Sequence, residues 1–297
     1  MEQVKVPVRD DIEICPNCDV LVNWDDSQCN GCNHVLVVPN QRELLRDGEV
    51  LALKDRYESA VALVNNVGAI KQLKAFEDQV ERDSKAVMNM DIDFLYQLLT
   101  DDSCMISNYN LQTQGETRKT ASMQNDKRRR GVEGTFFGNY AEKIRYAALS
   151  LDHQGLTSYG NCTITIADEL MQINATVLAE NTYDFVGHHS VIAGAAIPQG
   201  YRATWATRHL LATAKLASQI TANSTDFKSL LLDGSKSQRD SDRFMEVHIY
   251  GKIDNQSIEQ ITLPDKVNAL ATIQKREQLT LELIKDNAAS RGIACES

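Results

Sequence analysis

The chain has 297 residues, 42% of them hydrophobic, and a net charge of −10 at neutral pH. That length and apolar content are enough for one or two cored domains beside a small module, and the acidity argues against a protein that coats nucleic acid electrostatically. No apolar run approaches the roughly 18–20 residues of a membrane span, the total of seven cysteines is odd, and the N-terminal MEQVKVPVRDD carries no apolar leader core, so a cytoplasmic, non-membrane protein is expected.

The first element is residues 10–38. Cys15, Cys18, Cys29 and Cys32 form two C-x-x-C knuckles separated by ten residues. Each knuckle turns two thiolates toward one point, and four soft sulfur ligands favour a structural Zn²⁺ over harder cations. Asn17, Asn30 and Gly31 are residue types that accept the tight turns a knuckle needs. Ribbons of this kind bind nucleic acid, bind proteins or cap a fold.

Residues 41–102 contain only Gly48 and Gly68 as glycines and are read as helical. Leu44, Leu45, Leu51, Tyr57, Val61 and Val64 recur at spacings that place them roughly on one face, the run from Lys71 to Val87 reads as a charged, solvent-facing helix, and Ile92 to Leu99 as a third, apolar one.

From 103 to 265 the chain becomes β-rich. Strands are expected at Ile144–Leu151, Cys162–Ile166, Gln172–Leu178 and Phe244–Tyr250, with helical patterning confined to Arg202–Ala222. Pro264 then opens a last helix, to about Ala289, inside a C-terminal segment 266–297. The class is α+β. One acidic residue, Glu246, interrupts an otherwise apolar strand, and four cations stand together at Lys127, Arg128, Arg129 and Arg130, a solvated loop or a phosphate-contacting patch. His188 and His189 are adjacent, point apart and lack further ligands nearby, so they are not expected to bind metal.

Three blocks in this region carry a resemblance: Glu133-Gly134-Thr135-Phe136-Phe137-Gly138-Asn139-Tyr140, then Arg145-Tyr146-Ala147-Ala148-Leu149-Ser150-Leu151, then Ser158-Tyr159-Gly160-Asn161. With the strand around Glu246, the stretch from about 110 to 260 resembles an uncharacterised group of bacterial proteins that look like divergent members of the ADP-ribosyltransferase superfamily. Ala147 and Ser150 depart from that group's glycine and asparagine, and Val247-His248 from its Ala-Gln. The resemblance implies an ADP-ribosyltransferase-like split β-sandwich with helices, preceded by the zinc ribbon and the helical segment.

It also implies an activity, transfer of ADP-ribose from NAD to a macromolecule by a toxin or phage-defence effector. Glu246 would polarise the nicotinamide ribose and Tyr146 offer its ring to nicotinamide, two roles that suit a carboxylate and a flat, apolar side chain with a polar tip. Gln112, Thr113, Gly115, Arg118, Arg145, Ser150 and Tyr159 would line the NAD site. The Lys127–Arg130 run borders that site, so RNA or DNA is a plausible acceptor and a protein side chain nearly as good, with an antitoxin as a further partner. Two other readings stay open. One is an NAD glycohydrolase, the same chemistry with water as acceptor; the other is a non-enzymatic zinc-ribbon nucleic-acid-binding or adaptor protein, against which the 6% aromatic content counts, since it offers few stacking platforms.

Overall fold

The computed structural model describes residues 12–15, 17–107, 131–192, 195–234, 242–264 and 271–296. Strands β1 (Ile12–Ile14) and β2 (Leu21–Asn23) pair antiparallel across the first cysteine knuckle. A short helix α1 (Pro39–Arg42) follows, with proline at its start, where a missing N–H costs nothing. Next come α2 (Asp47–Asn66) and α3 (Ile70–Asp83). Leu73, Phe76 and Val80 of α3 are at most 1% exposed. They recur at spacings of three and four, so the helix expected to be solvent-facing is amphipathic and packs one side into the core. On α2 the buried apolar residues are Leu53 and Val64, joined by the buried Glu49, while Leu51 and, just before the helix, Leu45 are more than half exposed; the single apolar face inferred from sequence is not formed.

The next segment overturns a sequence expectation. Lys85–Met90 is strand β3, read above as the end of a helix and the start of its linker, and it lies in the middle of an eight-stranded sheet. Val87 faces Ala148 on one side and Thr165 on the other. The sheet is completed by β4 (Ile144–Ser150), β5 (Cys162–Ile166), β6 (Ala175–Leu178), β7 (Arg202–Thr204), β10 (Glu246–Tyr250), β11 (Ile258–Thr262) and β12 (Ala294–Glu296), in the order β12-β11-β5-β3-β4-β10-β6-β7. A small two-stranded sheet pairs β8 (Leu232–Asp233) with β9 (Arg243–Phe244). The large sheet is continuous rather than split, and residue 102 does not divide a helical module from a β module, because β3 precedes it and α4 (Ile92–Thr100) packs against the last long helix.

The remaining helices are α5, described over 131–137, α6 (Asp168–Asn174), α7 (Thr182–His188), α8 (Arg208–Leu216), α9 (Lys228–Leu231) and α10 (Ala271–Ser290). The expected strand from Gln172 is therefore a helix end followed by β6, and the expected helix from Arg202 begins as β7. Helix α10 connects β11 to β12, the one parallel pair among the described residues, which needs a crossover of this length.

Side chains alternate across the sheet. Ala147, Leu149, Ala175, Val177, Val247 and Ile249 enter the main core, which α2, α3, α4, α8 and α10 cover. The opposite face carries Ile144, Tyr146, Leu178 and Tyr250 in a second cluster with Phe136, Phe137, Tyr140 and Phe185, and Val87 and Ala148 in a third with Leu156.

Candidate functional site

The four cysteine Sγ atoms lie within 4.8 Å of one another. Four sulfurs held about 2.3 Å from one ion at tetrahedral angles stand about 3.8 Å apart; Cys15 and Cys32 are 3.8 Å apart, and Cys18 and Cys29 3.5 Å. The two knuckles are built alike. Cys15 N–H donates to Val20 O and Cys29 N–H to His34 O, while Asp19 and Asn33, each at φ 59°, close the loops in the left-handed region that Asp and Asn tolerate. Backbone N–H groups of Asn17 and Gly31 point at the sulfurs of Cys15 and Cys29, at 3.4 and 3.3 Å. The side-chain amide of Asn17, and then the backbone of His34, pull the Cys32 thiol down to about 6, while Cys18, although the Val20 backbone lowers it, is pushed up to about 12 by the Cys32 thiol, burial and the other two thiols, so the quartet shares its protons unequally. The quartet fits a metal ion such as zinc.

This module is tied to the sheet. The Arg42 guanidinium donates to the carbonyls of Trp24, Asp26 and Val37, and the Trp24 ring lies 6.1 Å from that of Tyr140. One turn away, the buried Asn40 amide donates to His248 O and Asn174 O at 3.1 Å each, and Gln41 to Gln172 O and Ala175 O. Helix α1 therefore clamps the edge of β10 and β6 where the second site lies.

That second site centres on Glu246, the first residue of β10, whose side chain is 12% exposed. Its Oε2 accepts from the backbone N–H of Thr182 at 2.8 Å, from the Thr182 hydroxyl, and from His248 Nε2 at 3.1 Å. With the Thr182 hydroxyl donating to the carboxylate, His248 presents Nε2 as N–H, because a bare nitrogen lone pair facing Oε2 would be repelled. Oε1 accepts no hydrogen bond among the described residues and is not sealed from solvent. Burial pushes the Glu246 carboxyl up, but the hydrogen bond and charge of His248 and the two Thr182 donors outweigh it, and the group stays below its ordinary range. Glu246 is a buried, ionised carboxylate with one oxygen anchored and one available.

The His248 ring is enclosed edge-to-face by Phe137 at 4.9 Å, Tyr146 at 5.5 Å and Phe136 at 6.3 Å. Tyr146 stands directly opposite His248 in the β4–β10 register, so it belongs to the same face as Glu246. The Phe136-Phe137 pair of the resembling motif forms the wall of this box.

Other residues assigned from sequence are placed elsewhere. Arg145 alternates to the opposite face of β4, is 6% exposed, and donates to the carbonyls of Ile106, Glu142 and Ile144 at 2.6, 2.9 and 3.2 Å. Its guanidinium is committed to backbone and does not meet Tyr146's face, contrary to the expectation that it lines an NAD site. Ser150 is fully buried and caps the turn after β4, donating to Asp152 Oδ1 and accepting from the N–H groups of Asp152 and His153. That too replaces a ligand role with a structural one. Tyr159 lies on the 3-10 turn Thr157–Tyr159, which packs against β3. Gln112, Thr113, Gly115, Arg118, Lys127, Arg128, Arg129 and Arg130 lie outside the described residues.

Sequence reasoning missed Thr182 and His248 as partners of Glu246. The strand's period of two places residues 246 and 248 on one face, a signal present in the sequence; Thr182 lies 64 residues away and left none. His188 and His189, expected to point apart, both turn toward Glu180, at 2.7 and 3.7 Å, because the end of α7 brings them to the two oxygens of one carboxylate. Among the described residues no helix is long and apolar enough to cross a membrane. No family model and no curated protein matches the chain.

Proposed function

We propose that the chain transfers ADP-ribose from NAD to a macromolecular acceptor, RNA in preference to protein, and that its cysteine quartet holds a structural Zn²⁺. The observation that carries the reading is the state of Glu246: ionised inside the fold, fixed through Oε2 by Thr182 and His248, with Oε1 left to a ligand. When the bond between nicotinamide nitrogen and ribose C1′ breaks, its electron pair leaves with neutral nicotinamide and positive charge develops at C1′. A preorganised carboxylate stabilises that charge and can hold the ribose 2′-hydroxyl. The acceptor's nucleophile then bonds to C1′ and its proton passes to solvent. Tyr146, one strand away on the same face, supplies the flat surface for nicotinamide.

In this reading Thr182 and His248 are positioning residues, and Arg145 and Ser150 hold the strand rather than the nucleotide. Gln112, Thr113, Gly115 and Arg118 would complete the NAD site, and Lys127–Arg130 would meet an acceptor's phosphates. The biological setting proposed is a toxin or phage-defence effector acting in the cytoplasm, held by an antitoxin partner. The test incubates the full chain and Glu246→Gln with NAD labelled in its adenylate half and a lysate divided into RNA, DNA and protein. Glu246-dependent label in the RNA fraction supports the proposal; label in protein alone redirects the acceptor; absence of label with no nicotinamide released overturns the enzyme reading in favour of a binding protein.

A further inference from the structure

Most buried cations among the described residues are well satisfied by protein partners, although Arg202 Nε has none. Arg202 pairs with Glu43 and Glu49, Arg145 meets three carbonyls, and Arg208 donates to Ser84 Oγ and to the carbonyls of Trp205 and Glu81. Arg56 and Lys215 are not. Each is partly buried, and each makes a single hydrogen bond, Arg56 to Gly200 O and Lys215 Nζ to Ala179 O. A guanidinium has five N–H donors and an ammonium three, so most of their donors have no protein partner, and since none is a buried orphan they stand open to solvent. Among the described residues neither cation has a carboxylate within ion-pair distance. The nearby Glu180 and Asp184 are engaged by His188 and by Arg243 and Asn181.

Both side chains line one groove of about 420 Å³ between α2 and α8, with Ala60, Leu63, Ala214 and Ala217 as its apolar part, Ser59 and Ser218 as further polar groups, and Asp55 as its one carboxylate, so the lining carries a net charge of +1. That volume falls in the range of roughly 300–1,000 Å³ occupied by small-molecule sites. The Arg56 guanidinium carbon lies 3.7 Å from the centre of the Tyr201 ring, a cation–π contact that restrains the side chain beside the groove. Burial pushes both cations down from their ordinary values, the direction that a bound anion would reverse.

We infer that this groove binds a small phosphate monoester, with the phosphate between Arg56 and Lys215 and an apolar or flat body on the alanine and leucine floor. Two cations of one sign at a concave, partly apolar surface are electrostatically unfavourable alone and are neutralised together by one dianion, which accepts from both through charge-assisted hydrogen bonds. A mononucleotide has this shape. The groove shares no lining residue with the Glu246 site, so the inference stands whether or not the chain turns over NAD.

Isothermal titration of the full chain with uridine 5′-monophosphate, uridine and inorganic phosphate tests it; the uracil nucleotide shares no base with NAD. The nucleotide is expected to bind at least tenfold tighter than uridine, with inorganic phosphate competing. Arg56→Met and Lys215→Met should each weaken it about tenfold or more, while Lys215→Arg stays within about threefold and Lys54→Met, at an exposed position on the same helix, has no effect. Circular dichroism identifies any variant that fails to fold, and the contrast between Lys215→Arg and wild type still reports on the site. Equal binding of uridine and its monophosphate, binding indifferent to both groove cations, or absence of binding at millimolar nucleotide would overturn the assignment.

Discussion

Replacing Thr182 with valine removes one hydroxyl and almost no volume. Thr182 is 5% exposed, and its hydroxyl donates to Glu246 Oε2 while lying 3.1 Å from His248 Nε2. The backbone N–H of residue 182 keeps its own bond to the carboxylate, so the change isolates a single hydrogen bond to a buried charge, worth about 1.5–3 kcal/mol. The loss has a defined pH dependence. The folded Glu246 carboxyl sits below its unfolded value of about 4.3, so its stabilising effect is complete above that value and disappears as pH falls through the folded value. The valine deficit is therefore full near neutral pH and shrinks below about pH 4.3. Thr182→Ser keeps the donor and loses only a methyl group, about 0.5–1.5 kcal/mol, with no such pH dependence. Urea unfolding followed by circular dichroism, run for all three proteins from neutral pH to about 2, measures this directly. Equal losses for serine and valine, or a valine loss unchanged by pH, would refute the carboxylate's described environment.

Three further outcomes follow from the same structure. Chelating the metal is expected to unfold residues 10–38 and leave the eight-stranded sheet intact, because the ribbon's own apolar cluster is small. Tryptophan emission should then shift to the red through Trp24 alone, since Trp205 is fully buried in the main core; a Trp24→Phe chain that still shifts contradicts this. Arg202→Met should cost about 3–5 kcal/mol in denaturant unfolding, because it strips the cation from the buried carboxylate of Glu49 and from Glu43, and a loss below about 1 kcal/mol would deny the pair's burial. The uridine monophosphate titration, with its dependence on Arg56 and Lys215, is the fourth.

Local chemistry was the readable part of this chain. The cysteine spacing alone located the metal-binding cluster, and β5 occurs where its β-branched run Cys162–Ile166 placed it. Elements decided by long-range pairing were not readable. Lys-Ala-Val-Met-Asn-Met contains good helix formers and becomes a strand because β4 and β5 flank it on both sides. Leu51 fits a helical apolar stripe yet stays exposed, since α8 packs against α2 on another side. At the candidate site the burial of Glu246 was suggested by its apolar neighbours, whereas its anchoring by Thr182 depends on a turn that only the β6–β10 pairing brings near. The placement of Arg145 was available in the alternation of β4: a residue adjacent to Tyr146 on a strand points the other way, so the two could not line one pocket.

The measurement that bears most directly on the central claim is nicotinamide release from NAD by the purified chain, compared with Glu246→Gln at matched folding by circular dichroism. The account predicts release by the wild type and a fall of at least about a hundredfold in the variant, the scale of losing a preorganised electrostatic group. Release that is equal in the two proteins would contradict the assignment of Glu246, and no release from either, with or without an RNA acceptor, would contradict the proposed activity itself.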